Sequence, residues 1–138
     1  MKEILILKEK KSINNIQNSK DLFNKIQKIN IDYSQENFLL VCLNTTNKIL
    51  YTENVFKGGL NACLICPKTL FRKALLKNSN SIIIAHNHPS KNLNPSNEDI
   101  QIYKDLKEIG DILGLTVLDS IIFNKNEFYS LNDIEVLK

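Results

Sequence analysis

The sequence predicts a single domain of mixed α/β (α+β) class, in which helices flank a mixed β-sheet. The chain has 138 residues, a usual length for one domain with its own core. Short apolar, β-branched segments alternate with longer segments whose apolar residues recur at helical spacing. No internal repeat interrupts this alternation. We therefore expect one sheet packed between helices.

The elements can be assigned in chain order. Residues 1–35 are predicted to be an N-terminal extension of the same domain, with a short strand at 4–7 and a helix at 19–29 that Ser19 caps. Residues 36–138 form the main part. Its predicted strands are 37–43, 48–56, 81–85, 115–123 and 127–131. A polar turn at 44–47 joins the first two strands as a hairpin.

Two helices complete the main part. One follows Pro67, which suits the first helical turn, and its apolar face comprises Leu70, Phe71, Ala74 and Leu75. The other spans 97–113 and ends at Gly114. Its predicted apolar stripe consists of Ile102, Leu106, Ile109 and Leu113. This stripe should face the sheet.

Charge and cysteine content identify no special class of partner. The 18 basic residues exceed the 15 acidic ones by only three and are spread along the chain, as on a solvated surface. Cys42, Cys63 and Cys66 are expected to be small buried thiols, since a structural zinc site needs four ligands. The odd cysteine count, with no signal peptide and no membrane-spanning apolar run, favours the cytoplasm.

Both histidines and one aspartate fall within residues 86–99. His86 and His88 end a strand and lie two residues apart, so their side chains point to the same side. Ser96 is placed to cap the next helix, and Asp99 lies one turn before Ile102 on the predicted apolar stripe. A buried carboxylate needs a partner. Two imidazoles and one carboxylate would leave a fourth position on a zinc ion for water, which predicts hydrolysis.

Each half of this pattern has an ordinary explanation. Two histidines at a strand end are common by chance, and a serine followed three residues later by an acidic residue is a usual capping box. A solvated loop with two chance histidines would not also place a lone acid on the buried face of the next helix. The combination therefore favours a metal site.

The string His-Asn-His-Pro-Ser-x-x-x-x-Pro-Ser-x-x-Asp, from His86 to Asp99, resembles the signature of the JAB/MPN (JAMM) metalloprotease domain, and more closely that of its RadC-like branch. The resemblance extends from about Glu36 through Gly58 and Gly59 to residues 118–122. It implies a JAB/MPN-like (cytidine-deaminase-like) fold.

The resemblance also implies roles for individual residues. His86, His88 and Asp99 would bind Zn²⁺, and Ser96 would position or stabilise the oxyanion. Glu36 matches the catalytic glutamate that takes a proton from the attacking water. An exposed acid at a strand entry is an equally open interpretation of Glu36.

The chain departs from the RadC-like pattern at several positions. It has Lys91 where glycine is usual and Tyr103 where threonine is usual, and neither should touch the metal. Ser120 replaces a common histidine, and Cys66-Pro67-Lys68 replaces His-Pro-Arg. Contacts with the substrate have therefore diverged from the usual pattern.

Two functions remain open at this point. The first is a zinc-dependent peptidase or isopeptidase acting on a protein or peptide substrate. The second is a non-catalytic accessory module in DNA repair or on a mobile element, with a structural metal. Association with DNA is implied by the resemblance alone, and the sequence names neither the substrate nor the oligomeric state.

Overall fold

A computed structural model describes residues 15–57 and 66–132. The described residues form a five-stranded mixed sheet and three helices, which confirms the mixed α/β class. In chain order the elements are α1 (Ser19–Ile26), β1 (Asn37–Leu43), β2 (Ile49–Lys57), α2 (Pro67–Leu76), β3 (Ser81–Asn87), α3 (Asn97–Leu113), β4 (Thr116–Phe123) and β5 (Phe128–Ser130). No helix in these two ranges is both long enough and apolar enough to cross a membrane.

The strand order is β2-β1-β3-β4-β5. β1 is antiparallel to both β2 and β3, and β5 is antiparallel to β4. β3 and β4 are parallel and are joined by α3. A parallel pair needs such a crossover, because the chain must return to the edge at which β3 began. The crossover brings the first turn of α3 to the edge where β3 ends.

Each face of the sheet carries its own apolar core. Alternate residues of β1 point to opposite faces, so Leu40 belongs to one core and Leu39 to the other. α2 and α3 cover the face of Leu40, and α1 covers the face of Leu39. β1 and β3 are buried along their whole length, as expected for central strands covered on both faces.

α3 is defined by local signals at both ends. Ser96 is its N-cap and forms a reciprocal capping box with Asp99. Gly114 ends the helix with φ of +74°, a left-handed conformation that glycine adopts without strain. Gly110 lies against the next strand, where a Cβ would be 2.3 Å from the carbonyl oxygen of Leu115.

The predicted apolar stripe of α3 is wrong in its position. Tyr103, Leu106 and Gly110 are the buried residues of the helix. Ile102 and Ile109 are only partly buried, and Leu113 is 46% exposed. The helix is rotated because Gly110 lets the backbone approach the sheet closely and Tyr103 fills the adjacent volume.

The bounds predicted for β1 and α3 are confirmed, whereas other ends differ. α1 stops at Ile26, and its N-cap is Asn18, whose side chain accepts from the N–H of Asp21. Ser19 instead donates to Asp119 at 2.9 Å. β3 runs two residues further than predicted, to Asn87.

The cysteine prediction is partly wrong. Cys42 is buried as expected, but Cys66 is exposed at the start of α2. The predicted strand 4–7, the Gly58-Gly59 turn and Cys63 lie outside the described residues. The division of the domain at residue 35 stays a prediction.

Candidate metal centre

His86 is held in the centre of the sheet. It occupies the end of β3, opposite Phe38 of β1 in the strand register, and is 3% exposed. Its ring stacks on that of Phe38, with centroids 5.7 Å apart and an angle of 13° between the planes. This packing fixes the ring so that Nε2 points out of the core.

His88 follows two residues later, just beyond the end of β3. Its ring centroid is 5.1 Å from that of His86. Asp99, in the first turn of α3, faces both rings. Its Oδ1 lies 3.1 Å from Nε2 of His86, and its Oδ2 lies 3.1 Å from Nε2 of His88. One ligand atom from each of the three residues falls within 4.8 Å of the others, so the group could hold a metal ion.

The capping box fixes the position of Asp99. Its Oδ2 accepts from the N–H of Ser96 at 2.9 Å, and its own N–H donates to Oγ of Ser96 at 3.0 Å. One carboxylate therefore begins the helix and faces the two histidines. Because the helix N-terminus favours negative charge, the ionised form of Asp99 suits both tasks.

The electrostatics of the group agree with this geometry. Burial raises the pKa of Asp99, but hydrogen bonds to His86 and His88 outweigh burial and hold that pKa far below its ordinary value. The hydrogen bond to Asp99 raises the pKa of His88. Asp99 is thus a carboxylate at any physiological pH, and it attracts positive charge between itself and the rings.

The orientation of His88 tests whether the residues fit a metal. Nδ1 of His88 lies 2.7 Å from the carbonyl oxygen of Asn92, so Nδ1 carries the proton and donates it. In the neutral ring, Nε2 then presents a lone pair toward a carboxylate oxygen. Two lone pairs at 3.1 Å need a cation between them, either a proton or a metal. Hydrogen bonds from the other ring nitrogen to a backbone carbonyl orient metal-binding histidines, so the residues fit a metal ion. Nδ1 of His86 is buried and has no hydrogen-bond partner in the described ranges.

Glu36 and Ser96 line the same pocket as the three candidate ligands. The pocket has a volume of about 260 Å³, and its walls also include Phe38, Ile84, Glu98, Ile102 and Ser120. Burial raises the pKa of Glu36, while the nearby His86 and His88 lower it to a smaller extent. The structure therefore brings together all five residues that the sequence analysis selected.

Asn87 holds the chain on both sides of Glu36. Its Oδ1 accepts from the N–H of Asn37 at 2.8 Å, and its Nδ2 donates to the carbonyl oxygen of Gln35 at 3.1 Å. Asn87 is 1% exposed. No local pattern in the sequence indicates this role of Asn87, because its two bonds cross 50 and 52 positions along the chain.

Residues 16–136 match the family model of the RadC-like JAB domain. The chain belongs to this family. It is 48% identical over 99 residues to the UPF0758 protein lin1584 of Listeria innocua, covering 72% of this chain and 44% of that protein. It is 43% identical over 126 residues to a UPF0758 protein of Clostridium beijerinckii, covering 89% and 55%. The chain thus spans about half the length of these curated relatives, whose names state no activity.

Membership of the RadC-like family agrees with the JAB-like arrangement of the sheet and helices. The structure also shows where the residues that depart from the family pattern lie. Lys91 has φ of +69°, a conformation that favours the usual glycine. Tyr103 is buried in the core and is not among the residues that line the pocket. Ser120 lines the pocket in place of the usual histidine. Phe38 and Ile102 were not selected, although the period-two alternation of β1 would have placed Phe38 on the face of His86.

Proposed function

We propose that this RadC-like domain is a zinc-dependent hydrolase that cleaves a peptide or isopeptide bond in a protein or peptide substrate. One observation carries the proposal: the Glu36 carboxylate lines the same pocket as the His86, His88 and Asp99 group. A base beside a three-ligand centre with an open position is the arrangement that metal-assisted hydrolysis requires.

Each side chain of the site has a separate role in the proposed reaction. His86, His88 and Asp99 would hold the zinc ion, which when bound lowers the pKa of a water toward about 7 and polarises a carbonyl. Glu36 takes the proton of the attacking water and returns it to the leaving amine. Its raised pKa suits the first transfer, because a carboxylate with a higher pKa is a stronger base and accepts the proton of the water more readily.

Ser96 supplies a hydrogen-bond donor. Its Oγ already accepts from the N–H of Asp99, which leaves the hydroxyl proton for another acceptor. Directed into the pocket, that proton stabilises the negative charge that develops on the carbonyl oxygen. The apolar walls formed by Phe38 and Ile102 limit access of water. The free thiols of Cys42 and Cys66 accord with a reducing cytoplasm.

The first experiment measures zinc in protein purified without added metal. We expect about one zinc per chain in the wild type, as for a three-ligand site, and loss of zinc in a His86→Ala, His88→Ala double variant. The absence of zinc from the wild type would contradict the hydrolase and favour a non-catalytic accessory module.

The second experiment separates zinc binding from catalysis with a panel of peptide and isopeptide substrates. We expect Glu36→Gln to retain zinc and to lose activity by about 10²-fold or more, since it cannot accept the proton. Glu98→Gln is the matched control, because Glu98 also lines the pocket but has no role in the proposal. Equal losses in the two variants would remove Glu36 as the base. Binding of DNA at physiological salt without any cleavage would favour the accessory module.

A further inference from the structure

A second, smaller pocket adjoins the metal centre at His88. Its volume is about 120 Å³, less than half that of the pocket that contains Glu36. Of the described residues that line the two pockets, His88 is common to both, so the pockets are neighbours across one candidate ligand. We call the smaller one the side pocket. Its walls consist of Tyr33, His88, Lys91, Asn124, Lys125 and Asn126.

The order of the strands brings the walls of the side pocket together. β3 and β4 are parallel and end side by side, since Asn87 pairs with Phe123. The loop after β3 and the turn after β4 therefore meet at this edge of the sheet. β1 is antiparallel to β3 and begins at the same edge, so the segment before β1 contributes Tyr33. Three segments that are distant in the sequence thus form one pocket next to the metal centre.

Hydrogen bonds fix the backbone at both lysines of the side pocket. The N–H of Lys91 donates to the carbonyl oxygen of His88 at 2.8 Å. The carbonyl oxygen of Lys91 accepts from Nδ2 of Asn124 at 3.2 Å. The carbonyl oxygen of Lys125 accepts from Nε2 of Gln27 at 2.9 Å. The two lysines are therefore held at set positions relative to His88.

Lys91 places a long side chain where the backbone favours glycine. Its φ is +69°, in the left-handed region that glycine adopts without strain and other residues adopt at a cost. Residues held in such conformations cluster at functional sites and ligand contacts. The positive side chain of Lys91 is therefore a feature that the fold alone does not explain.

The two pockets carry opposite charges. Lys91 and Lys125 line the side pocket, and no described aspartate or glutamate lines it. The larger pocket has Glu36, Glu98 and Asp99 in its walls, and no described lysine or arginine. An anionic group next to the metal centre is therefore repelled on one side of His88 and attracted on the other.

Nearby acidic residues do not neutralise the two lysines. Neither Lys91 nor Lys125 forms an ion pair with another described residue. Asp32 and Glu127 are close in the sequence, but neither lines the side pocket, and the Asp32 carboxylate bonds within its own turn. Nζ of Lys125 lies 5.6 Å from the centre of the Tyr33 ring, a cation–π contact that keeps this charge beside the pocket.

We propose that the side pocket binds a carboxylate of the polypeptide substrate through Lys91 and Lys125, and so selects substrates with an acidic group beside the scissile bond. This inference rests on the proposed hydrolysis, which places the scissile bond at the metal centre. The pocket has the volume of about four water molecules in the liquid, which is room for a carboxylate and the methylene next to it. In a polypeptide this group belongs either to an aspartate or glutamate side chain or to the C-terminus.

The position of the side pocket also limits where the acidic group lies along the substrate. The two pockets share His88, and one residue of an extended chain spans about 3.3–3.6 Å. The carboxylate should therefore lie about one or two residues from the scissile bond. The acidic walls of the larger pocket disfavour it on the other side of that bond, so the subsite also sets the direction in which the substrate lies.

Binding of short peptides tests the side pocket without any cleavage. The probes are alanine peptides, blocked at both ends, with a central glutamate or a central glutamine, and they are titrated into the whole isotope-labelled chain with NMR detection. We expect the glutamate peptide to shift the backbone signals of Lys91, Lys125 and Asn126 saturably. It should bind about fivefold or more tightly than the glutamine peptide, as for two partly exposed charge-assisted contacts. The preference should shrink as salt is added.

A third probe distinguishes the two sources of the carboxylate. It is the glutamine peptide with a free C-terminus. Binding as tight as that of the glutamate peptide assigns the pocket to the end of a chain, and binding as weak as that of the blocked glutamine peptide assigns it to an acidic side chain. Equal binding of all three peptides, or no saturable shift with any of them, overturns the proposal.

Substitution of the lysines identifies the residues responsible. Lys91→Gln with Lys125→Gln should abolish the preference for glutamate. Lys20→Gln with Lys104→Gln is the matched control, because it removes the same charge from exposed residues that line neither pocket. Lys91→Gly should reduce the preference without loss of thermal stability, since its backbone favours glycine. An equal loss of preference in the control variant overturns the assignment to Lys91 and Lys125.

The same peptides separate this inference from the proposed hydrolysis. Preferential binding without cleavage of any peptide or isopeptide bond would contradict the hydrolase and leave the side pocket as a carboxylate-binding site. For a substrate that is cleaved, exchange of the acidic residue for its amide should lower kcat/KM about fivefold in the wild type, as it lowers binding. This exchange should have no effect in the Lys91→Gln, Lys125→Gln variant. Cleavage with no such preference overturns the side pocket and leaves the hydrolase in place.

Discussion

Replacing Asp99 by asparagine should separate its two tasks, starting α3 and holding a metal. Asparagine keeps one side-chain oxygen that can accept from the N–H of the N-cap residue Ser96, so the capping box can persist. It loses the negative charge that faces His86 and His88 at 3.1 Å. The variant should therefore fold and keep α3 but bind zinc poorly.

In the absence of metal, the loss of stability in Asp99→Asn follows from the contacts that the substitution removes. The Asp99 side chain is 12% exposed, so the substitution mainly weakens a partly screened charge-assisted hydrogen bond between its Oδ2 and Nε2 of His88. We expect about 1 kcal/mol, which corresponds to a fall in Tm of about 3–4 °C for a chain of this length.

Zinc should raise the Tm of the wild type by more than the substitution lowers it. With free zinc at about 100-fold its Kd, binding to the folded state alone adds about 2.7 kcal/mol. The wild type should then gain about 10 °C in Tm. Asp99→Asn should gain almost nothing at the same zinc concentration, because a neutral amide is a weak ligand for zinc.

Scanning calorimetry with and without zinc measures both effects in one experiment. Asp105→Asn is the matched control, because it removes an exposed carboxylate of the same helix and should leave the zinc-induced gain intact. If Asp99→Asn gains as much Tm from zinc as the wild type, Asp99 is not a ligand. If the variant fails to fold without zinc, its role in the helix cap is larger than the contacts indicate.

Three further predictions concern the fold around the metal centre. Gly110→Ala should lower the free energy of unfolding by about 2–3 kcal/mol in urea denaturation, because its Cβ would lie 2.3 Å from the carbonyl oxygen of Leu115. An unchanged denaturation midpoint would show that α3 can move away from this oxygen freely. Asn87→Ala should cost about 2–3 kcal/mol by removing two hydrogen bonds from a buried side chain to the backbone beside Glu36, yet zinc content should persist, and its loss would contradict a role confined to Glu36. In metal-free protein, Tm should fall as pH rises from about 6 to about 9. The hydrogen bond to Asp99 raises the pKa of His88 above its ordinary value of 6.5. The stability that this pairing contributes is therefore complete below pH 6.5, and it is lost as the pH rises through the pKa of His88 in the folded protein. His88→Gln should remove that fall, and a fall that persists in this variant would assign it to another group.

Signals close together in the sequence account for what could be predicted. The bounds of α3 follow from the Ser96 capping box and from Gly114, both local features. The grouping of His86, His88 and Asp99 was also predictable, because these candidate ligands lie within one strand end and the next helical turn. Two strand residues on one side and the first turn of the following crossover helix meet in any parallel strand-helix-strand unit.

Contacts between distant segments account for what could not be predicted. The rotation of α3 depends on the close approach of Gly110 to the sheet, which periodicity does not reveal. The local sequence predicts Ser19 as a helix cap, whereas its hydroxyl donates to Asp119, 100 positions along the chain. The exposure of Cys66 depends on how the start of α2 lies on the sheet, and small thiols carry no surface pattern of their own.

The string His86-Asn87-His88 gains a physical explanation from these distant contacts. Successive residues of a strand point to opposite sides, so the two imidazoles face Asp99 while Asn87, between them, bonds to the backbone on both sides of Glu36. Three consecutive residues thereby position two candidate ligands and the candidate base relative to one another. A shift of β3 against β1 would break both bonds of Asn87, so these bonds help to hold the distance between base and ligands. Ser120 takes no part in these contacts but lines the pocket, so its departure from the family pattern changes a wall of the site while the bonds that position these residues stay in place.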